Sequence, residues 1–181
     1  MALKPKSNST ANSHAKRLGK WRNLASPQAR YLIDQVIERL VPIVEASGFE
    51  RIELSLMGPD HTPSGSEIRL ERVVGKYMDT IIFNFEKHRT PRFQIHGARR
   101  LGEAPFPFIR SADLVRSKSQ YYCFWGKPWW FPIKLWPASA TERIVKSAGA
   151  QIGALVHFLE TGERGDCISK EVVLSSNDLN R

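Results

Sequence analysis

Residues 66–96 constrain this chain more than any other stretch, because they fold on paper into a three-stranded meander whose cross-strand partners agree chemically. A two-residue turn at Gly75-Lys76, with glycine first as a type II′ hairpin prefers, pairs Val74 with Tyr77, Arg72 with Asp79, Leu70 with Ile81 and Ile68 with Phe83. A second turn over Lys87–Pro91 sets Glu86 opposite Arg92, Phe85 opposite Phe93 and Phe83 opposite Ile95. One face then reads Ile68, Leu70, Ile81, Phe83, Phe85, Phe93, Ile95, which is a core. The other face brings Glu67, Asn84 and Gln94 into one cross-strand row and Arg69, Ile82 and His96 into the next.

Helices flank the meander. Ser26 is a good N-cap with Pro27 behind it, and Leu32, Ile33, Val36, Ile37, Leu40, Val41 and Val44 follow at the spacing of one buried helical face. Pro42 predicts a kink, Gly48 a left-handed stop, and Ile52, Leu54 and Leu56 a strand before the meander. Beyond it, Pro105 to Phe108 read as a covering loop, Ala112–Arg116 as a short helix, and residues 120–136 as two more strands around Gly126-Lys127-Pro128. A long helix begins at a capping box of Ser139 and Glu142, carries Ile144, Val145, Ala148, Ile152, Leu155, Val156 and Leu159, and ends at Gly162. Gly149 and Gly153 allow it to approach a neighbour closely, and Ile168–Leu174 predicts a last short strand. Strands and helices do not alternate as a parallel sheet requires. The fold class is therefore α+β: an antiparallel meander of four to six strands packed against an N-terminal helix and a long C-terminal helix.

The order of amphipathic helix, Gly48-Phe49, Ile68-x-Leu70-x-Arg72-x-x-Gly75 and Ile81-x-Phe83-x-Phe85 resembles a group of small bacterial domains of unknown function over residues 27–97. That resemblance implies a fold and assigns no catalytic or binding residue.

The 181 residues suit one domain at 26–174, with a basic arm at 1–25 that has no apolar periodicity and is expected to be disordered, and a polar tail at 175–181. Cys123 and Cys167 suggest neither a disulfide framework nor a thiolate metal site, so a reducing cytoplasm is expected, and no apolar run is long enough to span a bilayer. The net charge of +9 is mostly in the arm, since no acid precedes Asp34 while Lys4, Lys6, Lys16, Arg17, Lys20, Arg22 and Arg30 do. A second basic block runs from Lys87 to Lys127, opposed only by Glu103 and Asp113, and is expected on loops and strand ends.

Three constellations are candidates for function. The polar face of the meander, Glu67, Arg69, Asn84, Gln94 and His96, offers groups that could hold a polar ligand, although polar outer faces are the rule for antiparallel sheets. The aromatic ribbon of residues 121–136 holds eight large rings, more than one short hairpin buries on a single face. Tyr122, Phe124, Trp129 and Trp130 are therefore candidates for an outward interface with a partner protein. Lys16, Arg17, Lys20, Arg22, Arg99 and Arg100 are candidate phosphate contacts for sequence-insensitive nucleic-acid binding.

Catalytic patterns do not assemble. Asp60, His61, Asp79, Glu86 and Lys87 invite comparison with metal-dependent nucleases, but Glu86 and Lys87 are adjacent and so point to opposite faces of a strand, and Asp79 is already paired with Arg72. His61, His88 and His96 lack metal-ligand spacing, and His157 adjoins the buried stripe of its helix. The sequence thus predicts a non-catalytic binding or accessory module without metal or cofactor, with weak, sequence-insensitive nucleic-acid binding through the basic arm and the 87–127 block as the alternative and an enzyme as the second alternative.

Overall fold

A computed structural model describes residues 26–52, 67–85, 91–102, 108–115, 124–125, 131–169 and 172–173, with the side chains of Phe108, Trp125, Val172 and Val173 left aside. Helix α1 spans Pro27–Arg39, and the Ser26 hydroxyl accepts from the Ala29 amide at 3.2 Å. Its Leu32, Ile33 and Val36, with Leu40 just beyond, are buried. Pro42 cannot donate to the helical ladder, and the helix breaks at Leu40 into a short α2, Val41–Glu45. Gly48 then turns the chain at φ +83°, and Phe49 folds into the core.

All the described strands pair antiparallel, in the order β1-β2-β3-β4-β5-β7. They are β1 (Glu50–Arg51), β2 (Glu67–Val74), β3 (Tyr77–Phe85), β4 (Arg92–Leu101), β5 (Phe108–Leu114) and β7 (Val172–Val173). A further piece, β6 (Phe124–Trp125), pairs with Arg92 and Phe93 of β4, on from where β5 leaves that strand. The Gly75 hairpin pairs as its chemistry requires: Val74 faces Tyr77, Arg72 faces Asp79, Leu70 faces Ile81 and Ile68 faces Phe83. Phe83 faces Ile95 and Phe85 faces Phe93.

One sheet face and the helices share the core. Leu70, Ile81, Phe83, Phe93, Ile95 and Leu114 meet the buried stripe of the long helix α3, Ala138–Thr161. A Cβ at Gly97 would lie 2.8 Å from Leu155 Cδ1, so the absence of a side chain lets α3 settle on β4. Gly162 ends α3 at φ +82°. Among the described residues no helix is long and apolar enough to cross a membrane.

Several expectations need correction. Of the helix foreseen at Ala112–Arg116, Ala112–Leu114 belong to β5, because Ala112 and Leu114 alternate onto the core and pair with Gly97 and Ile95, and Arg116 lies outside the described residues. Strand β4 runs from Arg92 to Leu101, so Arg92 stands at a strand end as expected, whereas Arg99 is carried inside the strand. The capping box does not form: α3 starts at Ala138 behind Pro137 with no side-chain cap, and Glu142 accepts from Tyr31 instead. Of the two strands foreseen in 120–136, the described residues contain β6 and a 3₁₀ turn at Ile133–Leu135. Of the strand foreseen at 51–56, the described residues hold Arg51, in β1, and Ile52, whose amide donates to the Arg69 carbonyl at 3.0 Å, and 53–56 lie outside them.

Candidate functional site

The register carries the polar row Glu67, Asn84, Gln94 and the row Arg69, Ile82, His96 across β2, β3 and β4, and β5 extends the second row with Asp113. Asp113 joins two of these groups: its carboxylate accepts from Gln94 Nε2 at 3.0 Å and lies 2.9 Å from His96 Nδ1. Arg69 pairs with Glu71 at 2.6 Å, and the same Glu71 oxygen accepts from Thr80 and Arg100, each at 3.3 Å. Burial raises the Glu67 carboxyl above its ordinary range, with the neighbouring Arg69 charge pulling the other way. This face is half-buried, and its polar groups largely serve one another. It is built as a cross-linked outer sheet surface.

At the opposite end of the core face a charged row crosses four strands: Arg72, Asp79, Arg99, Arg110. Asp79 is fully buried and takes two hydrogen bonds from Arg99, at 2.5 and 2.7 Å, and one from Arg72 Nε at 3.0 Å. The hydrogen bond to Asp79 raises the Arg99 guanidinium above its already high value. Arg72 also donates to the Ser47 carbonyl and to Glu160 Oε1, both at 2.8 Å. Arg99 donates to the Glu160 carbonyl and Arg110 to the Phe158 carbonyl, each at 3.2 Å. Three guanidinium groups thus occupy the C-terminal end of α3, where the helix dipole favours positive charge and the last carbonyls need donors. The row fastens α3 to the sheet.

On the helical side, α2 and the first half of α3 enclose an open cleft of about 670 Å³. Leu40, Ile43, Val145 and Gly149 supply apolar lining, while Arg39, Arg143 and Lys146 supply cations. The lack of a side chain at Gly149 sets the width there, since a Cβ would lie 3.2 Å from Ile43 Cδ1 and 3.3 Å from Leu40 Cδ2. Glu142 is the acid in the lining, and it accepts from the Tyr31 hydroxyl at 2.8 Å, a hydrogen bond that raises the Tyr31 pKa. Among the described residues Arg39, Arg143 and Lys146 form no ion pair. The sequence hint to this cleft was the glycine at 149; the rest of the lining comes from segments about 100 residues apart.

Two groups of candidate residues are displaced. Arg99 is buried beneath α3 on Asp79, and Arg100 is buried on the opposite sheet face against Glu71, so neither presents its charge to a phosphate backbone. Phe124, a candidate outward ring, is fully buried and stacks on Phe93 with centroids 5.1 Å apart. Its pairing through β6 turns it inward. Trp136, from the same ribbon, is buried as well. Lys16, Arg17, Lys20, Arg22, Tyr122, Trp129 and Trp130 lie outside the described residues, as do Asp60, His61, Glu86, Lys87 and His88. His157 is on the surface, 3.0 Å from Glu163. Among the described residues no group of three or more His, Cys, Asp or Glu side chains is placed to hold a metal ion. No protein-family model, curated protein or solved structure matches this chain.

Proposed function

We propose that this chain is a non-catalytic binding module whose ligand sits in the cleft between α2 and α3. The observation that carries this reading is the cleft itself, about 670 Å³ with an apolar floor and a rim of cations that form no ion pair with the described residues. Ligand sites are commonly concave, mostly apolar and about 300–1,000 Å³, with a few polar groups that fix orientation. The other polar constellations support it by contrast: the Asp79 row and the Asp113 cluster spend their hydrogen bonds on the fold.

A neutral apolar dye such as Nile red tests the reading. It should bind the full chain with one site and blue-shifted emission. Ala150→Trp places a large ring at an exposed position of the lining, and it should abolish the signal without moving the melting temperature. Dye binding that ignores this substitution, or no binding at all, would remove the cleft as the site.

A further inference from the structure

We propose that the cleft takes a single-chain amphiphile with an anionic head, the chain lying along α3 and the head among Arg143, Lys146 and Arg39. This inference rests on the cleft being the binding site, and adds the chemistry of its ligand.

Charge selects the head. Three cations line the cleft against one acid, Glu142, whose carboxylate is engaged by the Tyr31 hydroxyl. Arg39 stands in the last turn of α1, where a cation also favours the helix. Arg143 and Lys146 have no such reason to be there: they lie in the N-terminal half of α3, whose first turn carries no acid, and they pair with none of the described residues. A bound anion would supply their partner.

The shape selects the chain. The lining on α3 runs from Ser139 to Ala150, about 16 Å at helical rise, which sets the upper bound on the length of alkyl chain that can lie along it. Buried Leu40 and Val145, with Gly149 between the helices, form the floor of the cleft.

Other occupants fit less well. The arm of residues 1–25 is itself basic and acid-free, so it meets the rim with like charge, and a second copy docked cleft to cleft does the same. An acidic partner helix satisfies the charge, but Ile43 is the one exposed large apolar side chain that the cleft offers it, too little for the apolar core of a stable interface.

Calorimetric titration of the full chain decides, with laurate, dodecyl phosphate, dodecanol and dodecyltrimethylammonium below their aggregation concentrations. One molecule of laurate or dodecyl phosphate should bind, at least tenfold more tightly than dodecanol, with dodecyltrimethylammonium weakest. Preference between the two anions then separates a free fatty acid from a phosphate-headed lipid as the source. Arg143→Glu and Lys146→Glu should each weaken the anions severalfold at unchanged melting temperature, and leave dodecanol unaffected. Equal affinity for dodecanol and laurate would overturn the anionic head while Nile red binding preserved the cleft. Tighter binding of an acidic amphipathic peptide than of either alkyl anion would overturn the single chain.

Discussion

Asp79 on β3 and Arg99 on β4 face each other across the sheet and are joined by two hydrogen bonds, Nε to Oδ1 at 2.5 Å and Nη2 to Oδ2 at 2.7 Å, beneath the end of α3. The bidentate fit uses the planar fork of the guanidinium, and Arg72 approaches the same carboxylate from β2. The pair is therefore the centre of a row that connects three strands to the helix through the Glu160 carboxylate and carbonyl.

Asp79→Ala should be among the most destabilising substitutions in the chain. It leaves Arg99, 5% exposed, and Arg72 without the carboxylate they share, and removing one partner of a buried ion pair costs about 3–5 kcal/mol. Urea unfolding measures it. The double variant Asp79→Leu with Arg99→Met should recover part of the loss, since it leaves fewer orphaned charges. A small effect of Asp79→Ala would mean that water or Glu160 takes over the guanidinium groups.

The apolar register makes a second comparison. Leu70→Ala and Phe83→Ala, both at fully buried positions facing α3, should each cost about 2–5 kcal/mol, whereas Val73→Ala near the hairpin tip should stay within about 0.5 kcal/mol. Val73 is 71% exposed on the opposite face, one residue before the turn-flanking pair. Similar costs at all three sites would contradict the pairing of β2 with β3.

The part of the sheet that could be read from sequence is the part specified by near neighbours. Each pair from Ile68–Phe83 to Val74–Tyr77 is decided by one short turn, and the apolar alternation admits a single register. Past Ile95 the apolar signal stops, and Gly97, Ala98, Arg99 and Arg100 resemble a loop. Their burial comes from α3 and from acids on β2 and β3, which no local pattern announces. Glu142 fits a capping box locally, yet its partner Tyr31 lies 111 residues away in the chain. Of the polar face, five residues could be grouped from the meander alone, but Asp113, which connects His96 and Gln94, entered only when β5 docked. The cleft was beyond reach for the same reason.

Gly97 and Leu155 should couple. A Cβ at position 97 would sit within 3.1 Å of three Leu155 side-chain carbons, and Leu155 is fully buried and cannot swing aside. Gly97→Ala should cost about 1–3 kcal/mol by overpacking, and Leu155→Ala about 2–5 kcal/mol by leaving a cavity. Because the added methyl occupies part of that cavity, the double variant should be less destabilised than the sum of the two. Strict additivity in a double-mutant cycle would show that α3 shifts as a body to accommodate the methyl.

Glu67 gives a pH test of the half-buried polar face. Burial raises its carboxyl in the folded chain, with Arg69 acting in the opposite sense, so folding disfavours the ionised form. Well below the ordinary carboxyl value of about 4.3 both states hold the proton and the group costs nothing. As pH rises through that value the unfolded chain releases its proton first, and the penalty grows until the folded chain has ionised too. Glu67→Gln keeps the shape and removes the charge. It should therefore raise stability at neutral pH, with the gain fading as pH falls below the ordinary carboxyl range and the folded and unfolded chains both take up the proton. Chemical denaturation across that range reads the difference directly. A Gln variant that was less stable at neutral pH would mean that the attraction of Arg69 exceeds the cost of burial, and that the carboxylate belongs to the Arg69–Glu71 ion-pair cluster.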